Sequence, residues 1–429
     1  MKYPLAILEQ IKLRVPLLEE VRKVVPKVQK KGKYWWANCP FHGEKSPSFH
    51  VREDQGSYYC FGCGAGGDVL KFVQETQGGS FAETVERLAK QAGIKLPERE
   101  APNPARQALW EQGQQALARA KVFYQRSLGS TAKEYLQKRQ LSEATVAEFG
   151  LGYSPESYTA TREALLTEGI KPDVLREVGL ALASEQGKGD YDRFRGRLMF
   201  PIENLKGEVV GFGGRVLGKG EPKYLNSPET PWFNKGGLLY NLHRAKPHFK
   251  TGIPVLVEGY MDVIALWQAG FKTAVAPLGT AVGTEQLALL WQQHPSPLVC
   301  LDGDAAGRTA ATRAALRALP VLEPGKTLQF AFLPDGEDPD SLVQKDGLGA
   351  FRTLLATPKP LEQVLWEHLS GGLDLQTADG RAVADTKLAE LLAEMKHPTV
   401  KQAYKASLRE RIYQAGRGGN GVKKAAKLG

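Results

Sequence analysis

The chain has 429 residues, 42% hydrophobic and 24% charged, with 57 Lys and Arg against 47 Asp and Glu for a net charge of +10. These values exclude collagen-like, wholly disordered and membrane-embedded classes and predict several domains; no run approaches the roughly 18 apolar residues of a spanning helix. The basic excess suits an anionic partner, and four cysteines are too few for a disulfide scaffold in a chain of this length.

The opening MKYPLAILEQIKLRVP breaks its apolar run with charges and has no small-residue cleavage site, so no secretory signal is expected and the expected location is cytoplasmic. Over residues 5–30, Leu8, Ile11, Val15, Leu18, Val21 and Val25 recur at helical spacing and predict a basic helix over 11–27. KYWWAN (33–38), SFHV (48–51) and SYYCF (57–61), separated by Gly and Pro, predict a small antiparallel sheet, with helices after it at 67–76 and near 80–92. PEREAPNPAR is Pro-rich and charged, so a linker is expected over 97–107, closing a first domain at 1–96. Residues 107–180 read as helical and 190–240 as β-like and glycine-rich. From 252 to 333 the short apolar runs PVLVEG, KTAVAPL, PLVCLD and LQFAFL alternate with helical patterns, the signature of a parallel α/β sheet. Residues 345–413 return to helix. GRGGNGVKKAAKLG, from Gly416, has four basic residues and no acid, and predicts a flexible tail.

Cys39-Pro-Phe-His42 is followed after 17 residues by Cys60-Phe-Gly-Cys63. Two knuckles of two N or S donors each make the closed four-ligand set of one structural zinc. Cys300, inside an apolar run, reads as a buried bystander. Trp35, Trp36, Phe49, Tyr58, Tyr59 and Phe61 lie around the knuckles, interleaved with Lys30, Lys31, Lys33, Lys45 and Arg52. Stacking faces beside cations predict single-strand binding, with part of the aromatic set left to fill the small core.

Three predicted parallel strands run into acid. PVLVEG ends at Glu258 with Asp262 four residues on, PLVCLD leads to Asp302 and Asp304, and LQFAFL leads to Asp338 and Asp340. Ligands of open α/β sheets bind at the carboxyl edge. Clustered carboxylates need a cation among them, and hard oxygen donors predict Mg²⁺, two ions or more, that activate a hydroxyl and neutralise a leaving pyrophosphate. Residues 186–250 carry 12 Lys and Arg against 6 Asp and Glu, including Arg193, Arg195, Arg197, Arg215, Lys223 and Lys235, with Tyr224 and Asn226 beside them. Glycines next to these cations let the backbone approach phosphates. Gly325-Lys326-Thr327 is not a phosphate loop, because residue 320 is Pro and a strand follows, and GFGGRVLG lacks dinucleotide-loop spacing.

These blocks together resemble the bacterial DnaG-type DNA primases. CPFHGEKSPSF (39–49) and CFGCGAGGDVLKFV (60–73) are similar to that family's zinc ribbon. RFRGRLMFPI (193–202), GFGGRV (211–216), PKYLNSPET (222–230) and FNKGGLLYN (233–241) resemble its basic polymerase blocks. VEGYMDVIAL (257–266), LDGDAAGR (301–308) and LPDGEDPDSL (333–342) resemble its TOPRIM motifs. The resemblance implies a multidomain α+β and α/β protein: a zinc ribbon over 1–96 and a linker over 97–107, then a basic template-binding subdomain over 108–242. A TOPRIM subdomain over 243–343, a helical subdomain over 344–415 and a basic flexible tail over 416–429 complete it.

It also implies short RNA primers made from ribonucleoside triphosphates on a single-stranded DNA template at the replication fork. Glu258, Asp262, Asp302, Asp304, Asp338 and Asp340 would be catalytic, all but Asp262 as Mg²⁺ ligands, with Mn²⁺ as a substitute and Glu258 also suited to acid–base work. Arg193, Arg195, Arg215, Lys223, Tyr224, Asn226 and Lys235 would handle template and nucleotide. The chain stops soon after the polymerase core, so the family's helicase-docking domain is expected to be absent and docking on the replicative helicase by that route with it. No membrane partner is expected. A TOPRIM topoisomerase or nuclease, and a non-catalytic zinc-ribbon single-strand binder, are the competing expectations.

Overall fold

The computed structural model describes residues 3–44, 46–96, 104–184, 189–218, 220–279 and 281–425. The expected linker lies outside these residues over 97–103, as does Lys45, and residues 104–107 instead open a helix. The chain divides into two compact units, Met1–Asn103 and Pro104–Gly429.

In the first unit, helices α1 (Leu5–Arg14) and α2 (Leu17–Val24) replace the single expected helix. The cause is proline. A residue before Pro is pushed out of the helical region. Val15 before Pro16 is extended (φ −112°, ψ 97°), and so is Val25 before Pro26 (φ −122°, ψ 94°). Strands β1 (Gln29–Lys31), β2 (Tyr34–Ala37), β3 (Phe49–Arg52), β4 (Ser57–Cys60) and β5 (Gly66–Gly67) form an antiparallel sheet in sequence order. Helix α3 (Val69–Gln77) is capped by the Asp68 side chain, and α4 (Phe81–Gln91) by a Ser80–Glu83 capping box. Ile11, Leu18 and Val21 meet Phe49, Val51, Tyr58, Phe72 and Leu88 in the core.

The second unit opens with α5 (Pro104–Arg126), α6 (Ser130–Lys138) and α7 (Glu143–Glu148). Next come β6 (Gly152–Ser154), α8 (Ala160–Thr167), α9 (Pro172–Glu177) and the hairpin β7 (Ala181–Leu182) with β8 (Tyr191–Asp192). Strands β9 (Arg197–Glu203), β10 (Val209–Val216) and β11 (Tyr224–Asn226) build an antiparallel sheet ordered β11-β10-β9-β6. After α10 (Leu242–Ala245) comes the alternating region: β12 (Val255–Leu256), α11 (Tyr260–Gln268), β13 (Ala274–Val275), α12 (Thr284–Gln293), β14 (Leu298–Leu301), α13 (Ala305–Ala318), β15 (Gln329–Phe332), α14 (Pro339–Leu355) and β16 (Lys359–Pro360). The sheet order is β13-β12-β14-β15-β16, parallel except at β16.

Successive strand residues point to opposite faces. Val255, Leu298, Cys300 and Ala331 accordingly join the core shared with the antiparallel sheet. Leu256, Val299, Leu301 and Phe330 join a second core, closed by α15 (Leu361–Ser370), α16 (Ala378–Glu394) and α17 (Pro398–Ala425). Burial on both faces is why these strands read as unbroken apolar runs. Cys300 is fully buried, as expected. The segment from Gly416, expected as a flexible tail, is helical to Ala425. Helix α17 is anchored by Val400, Leu408 and Ile412, and extending a formed helix costs far less than starting one. Among the described residues no helix is long and apolar enough to cross a membrane.

Phe330 is fully buried on β15, between β14 and β16. Phe330→Ala is expected to destabilise the second unit by about 3–5 kcal/mol, read as a lower urea midpoint with an unchanged slope.

Candidate functional site

In the first unit Cys39 and His42 follow β2, Cys60 ends β4 and Cys63 follows it. Their four donor atoms lie within 4.8 Å of one another. A tetrahedral zinc with Zn–S near 2.3 Å sets its donors about 3.8 Å apart. Cys39 Sγ is 3.7 Å from Cys63 Sγ, and Cys60 Sγ is 3.8 Å from His42 Nδ1. Burial, then the Cys60 and Cys63 thiols, push the Cys39 thiol up to about 12; a bound cation reverses that penalty by stabilising thiolates. The four residues fit zinc, with no position left open for substrate. Glu44, which the sequence reading passed over, organises the first knuckle. It accepts the Cys39 amide at 2.6 Å and the Ser48 amide at 3.1 Å, and lies 3.2 Å from His42 Nε2. An acid two residues after a ligand histidine was the available signal.

Strand alternation sorts the aromatic residues. Phe49 and Tyr58 are core, and Trp35 turns to the same side, where Arg22 and Lys30 lie over its ring and Glu53 accepts its indole N–H. Trp36, His50, Tyr59 and Phe61 occupy the other face. Phe61 stacks on His50 at 5.0 Å and on Trp36 at 6.1 Å, and is 66% exposed. Exposed Lys27 and Lys31 lie beside Trp36.

In the second unit an open cleft of about 380 Å³ lies at the carboxyl edge of the parallel sheet. Glu258, Asp262, Asp302 and Asp338 line it from the parallel-sheet region, and Arg139, Arg215, Lys223 and Tyr224 from the end of α6 and the antiparallel-sheet region. Glu258 accepts the Asp302 amide at 3.3 Å, tying the ends of β12 and β14 together. Gly303 lies so close to the carbonyls of Leu333 and Pro334 that any Cβ would collide with them, which seats the Asp302 turn against the end of β15. Asp262 accepts the Gly259 amide at 2.9 Å. Asp304 and Asp338 cap α13 and α14 by accepting Gly307 and Ser341 amides, each at 2.7 Å.

Crowding is written into the acidities. Desolvation, followed by Glu258, Asp338 and Asp304, pushes Asp302 up to about 7. Desolvation and then Asp338 and Asp302 hold Asp262 well above the carboxylate range, and desolvation with Asp304 raises Glu258. Such a set is relieved by a divalent cation and fits one, although among the described residues only the zinc ligands already form a tight donor group.

The expected basic residues part company. Arg215 points at the cleft, donating to Tyr224 Oη at 2.7 Å between the rings of Tyr135 and Tyr224. Arg193 instead grips the Asn226 carbonyl at 2.8 and 3.2 Å. The Asn226 side chain accepts from Tyr260 Oη at 2.8 Å and donates to the Leu278 carbonyl at 2.9 Å, so both residues brace the cleft wall. Arg195 lies outside the cleft lining, between the rings of Tyr158 and Tyr191, and Lys235 also lies outside it. Asp340, expected among the cation ligands, stands apart from the other acids. It is not on the cleft surface, and both its oxygens are occupied, Oδ2 by Arg139 at 2.9 Å and Oδ1 by Gln344 at 2.6 Å. Arg139 escaped the sequence reading because, next to Lys138 on a basic helix end, nothing local distinguishes it.

Comparison with known proteins agrees with this layout. Residues 3–103 match the CHC2 zinc finger family, 121–246 the N-terminal domain of the DNA primase catalytic core, and 255–343 the Toprim-like family. Residues 363–413 match the DnaB-helicase binding domain of primase. That match overturns the expectation of a missing docking domain, which arose from assigning every helix after residue 344 to the polymerase core. DNA primases of Escherichia coli K12 and Neisseria meningitidis are 41% and 42% identical over 386 and 422 residues, covering 87% and 95% of this chain and 66% and 70% of their own lengths. The chain thus spans about two thirds of these relatives. A solved DnaG primase catalytic domain bound to ssDNA is 40% identical with a TM-score of 0.64, covering 71% of this chain and 97% of its own. The zinc-binding and RNA polymerase domains of Aquifex aeolicus primase are 30% identical with a TM-score of 0.60, covering 96% and 97%.

Zinc removal by a strong chelator is expected to unfold the first unit, seen as lost far-UV dichroism that zinc restores. Glu44→Gln is expected to weaken zinc about 10–100-fold in competition with a chromophoric chelator. Zinc affinity equal to that of the unaltered protein counts against Glu44 as the organiser of the site.

Proposed function

Because the chain belongs to the bacterial DnaG-type DNA primase family, we propose that it synthesises short RNA primers from ribonucleoside triphosphates on single-stranded DNA. The observation that carries this reading is one cleft lined both by carboxylates (Glu258, Asp262, Asp302, Asp338) and by cations (Arg139, Arg215, Lys223). A triphosphate with its divalent cations is complementary to both sets at once.

Glu258, Asp302, Asp304 and Asp338 are the residues to hold Mg²⁺, with Mn²⁺ as substitute. When bound there, such ions lower the pKa of a 3′-hydroxyl and neutralise charge on the departing pyrophosphate. Arg139, Arg215 and Lys223 grip phosphate oxygens, and the Tyr224 hydroxyl keeps the Arg215 guanidinium turned into the cleft. Asp262 fixes the first turn of α11 through the Gly259 amide, which sets the direction in which Glu258 leaves β12. Most of the catalysis asked of the protein is positioning and electrostatic stabilisation, the usual demand of phosphoryl transfer.

The template strand is held by Arg195 between its two tyrosine rings and, in the first unit, by the stacked face of Trp36, His50, Tyr59 and Phe61 with its flanking lysines. Aromatic faces beside cations bind single strands with little dependence on sequence. Residues 363–413 supply a docking segment for the replicative helicase, which puts synthesis at the replication fork.

The decisive experiment is incorporation of labelled ribonucleotides on a single-stranded template with Mg²⁺. Asp302→Asn is expected to lower kcat/KM by about 100-fold or more while single-strand binding by the first unit is kept. Unchanged synthesis in Asp302→Asn, or relaxation of supercoiled DNA in place of synthesis, defeats the proposal.

A further inference from the structure

Asp338 and Asp340 stand two residues apart, yet their surroundings differ in kind. Asp338 caps α14 and lines the cleft. Asp340 is only 1% exposed, in the first turn of the same helix. Its Oδ2 accepts Arg139 Nη1 at 2.9 Å, and its Oδ1 accepts Gln344 Nε2 at 2.6 Å. The Gln344 amide donates as well to the Arg139 main-chain carbonyl at 3.2 Å, so α14 holds both ends of that arginine. The turn after Arg139 is fixed from α11, where Gln268 donates to the Gln140 carbonyl at 2.8 Å and accepts the Ser142 amide at 2.7 Å. Arg139 itself lines the cleft beside Arg215, with the Tyr135 ring against both guanidinium groups.

A buried carboxylate matched by a guanidinium and an amide has its charge balanced and each oxygen accepting a hydrogen bond within the protein. Pulling it onto a cation would leave a buried donor and the arginine without partners. We infer that Asp340 is a positioning residue for the nucleotide: with Gln344 it fixes the Arg139 guanidinium on the cleft wall, where the triphosphate of an incoming nucleotide binds, and it is not a ligand of the catalytic cations. The inference rests on the nucleotidyl-transfer reading above.

The test compares Asp340→Asn, Arg139→Gln, the double variant and Asp302→Asn in the full chain. The readouts are KM and kcat for primer synthesis, binding of a fluorescent ribonucleoside triphosphate by anisotropy, and Mn²⁺ binding by electron paramagnetic resonance. Asp340→Asn is expected to raise the nucleotide KM and Kd about tenfold with kcat within about twofold. Its Mn²⁺ affinity stays within about twofold of the unaltered chain, and the double variant is no worse than Arg139→Gln alone, as for two residues acting through one contact. Asp302→Asn is expected to do the reverse, weakening Mn²⁺ binding about tenfold or more. A comparable loss of Mn²⁺ affinity in Asp340→Asn, additive effects in the double variant, or an unchanged nucleotide Kd each overturns the inference. Gln344→Met leaves the ion pair in place and removes the second tie. It is expected to raise the nucleotide Kd by a smaller factor, and it decides the matter if Asp340→Asn does not fold. The two binding readouts need no primer synthesis. A chain that makes no primers therefore sinks the polymerase reading, while the assignment of Asp340 stands or falls on binding.

Discussion

Glu258, Asp262, Asp302 and Asp338 leave neighbouring parallel strands and turns on one edge, close enough that, after burial, their neighbours' charges make Asp262 and Asp302 weaker acids. The repulsion is a property of topology. Parallel strands present all their carboxyl ends together, so any acid placed there meets the others. A protein that keeps this arrangement must supply countercharge from another layer or take cations from solution. The antiparallel sheet beside it carries Arg215 on β10 and Lys223 just before β11, and Arg139 follows the last residue of α6. The cleft exists because two sheets of opposite charge character share one core, with Val255, Leu298 and Cys300 from one packed against Phe200 and Phe212 from the other.

Holding like charges in place takes rigid anchors, and backbone amides provide them. Asp304 and Asp338 accept helix N-terminal amides, where the partial positive charge of the helix end favours a carboxylate. Asp262 does the same for α11, and Glu258 accepts the Asp302 amide. Each acid therefore spends one lone pair on the fold and keeps the rest for the cleft. The close seat of Gly303 against Leu333 and Pro334 does the same for main chain, since a side chain there would force β14 and β15 apart at the point where Asp302 emerges.

What could be read from sequence was what is local and periodic. All four apolar runs of the alternating region became neighbouring strands of one sheet, because burial on both faces leaves them uniformly apolar. The zinc knuckles were legible from spacing alone. Helix breaks at Val15 and Val25 were legible in principle from the prolines that follow, and were lost to an apolar periodicity that ran across them. Contacts between distant segments were not legible. Arg139 and Asp340 are 201 residues apart, and neither carries a local mark of the other. The basic middle segment showed the same limit. Its composition pointed to phosphate, but only the fold separates Arg215, turned into the cleft, from Arg193, spent on the Asn226 carbonyl.

The paired acids Asp302-Gly303-Asp304 and Asp338-Pro339-Asp340 show how a shared pattern acquires different chemistry. Both precede a helix, but the helices start at different registers. Helix α13 begins at Ala305, so Asp304 is the cap and Asp302 stays outside the helix, at the end of β14. Helix α14 begins at Pro339, whose fixed φ suits the first helical position, so Asp338 is the cap and Asp340 is already inside the first turn. A shift of two residues against the helix start moves the second acid from solvent to burial, from an exposed cap at Asp304 to the Arg139 ion pair at Asp340. Glycine in the first triplet permits the close approach to Leu333 that keeps Asp302 at the cleft, and proline in the second fixes the start that turns Asp340 away from it. The central residue of each triplet, neither acidic nor in itself reactive, thereby decides which carboxylates are left for cations and which one holds an arginine.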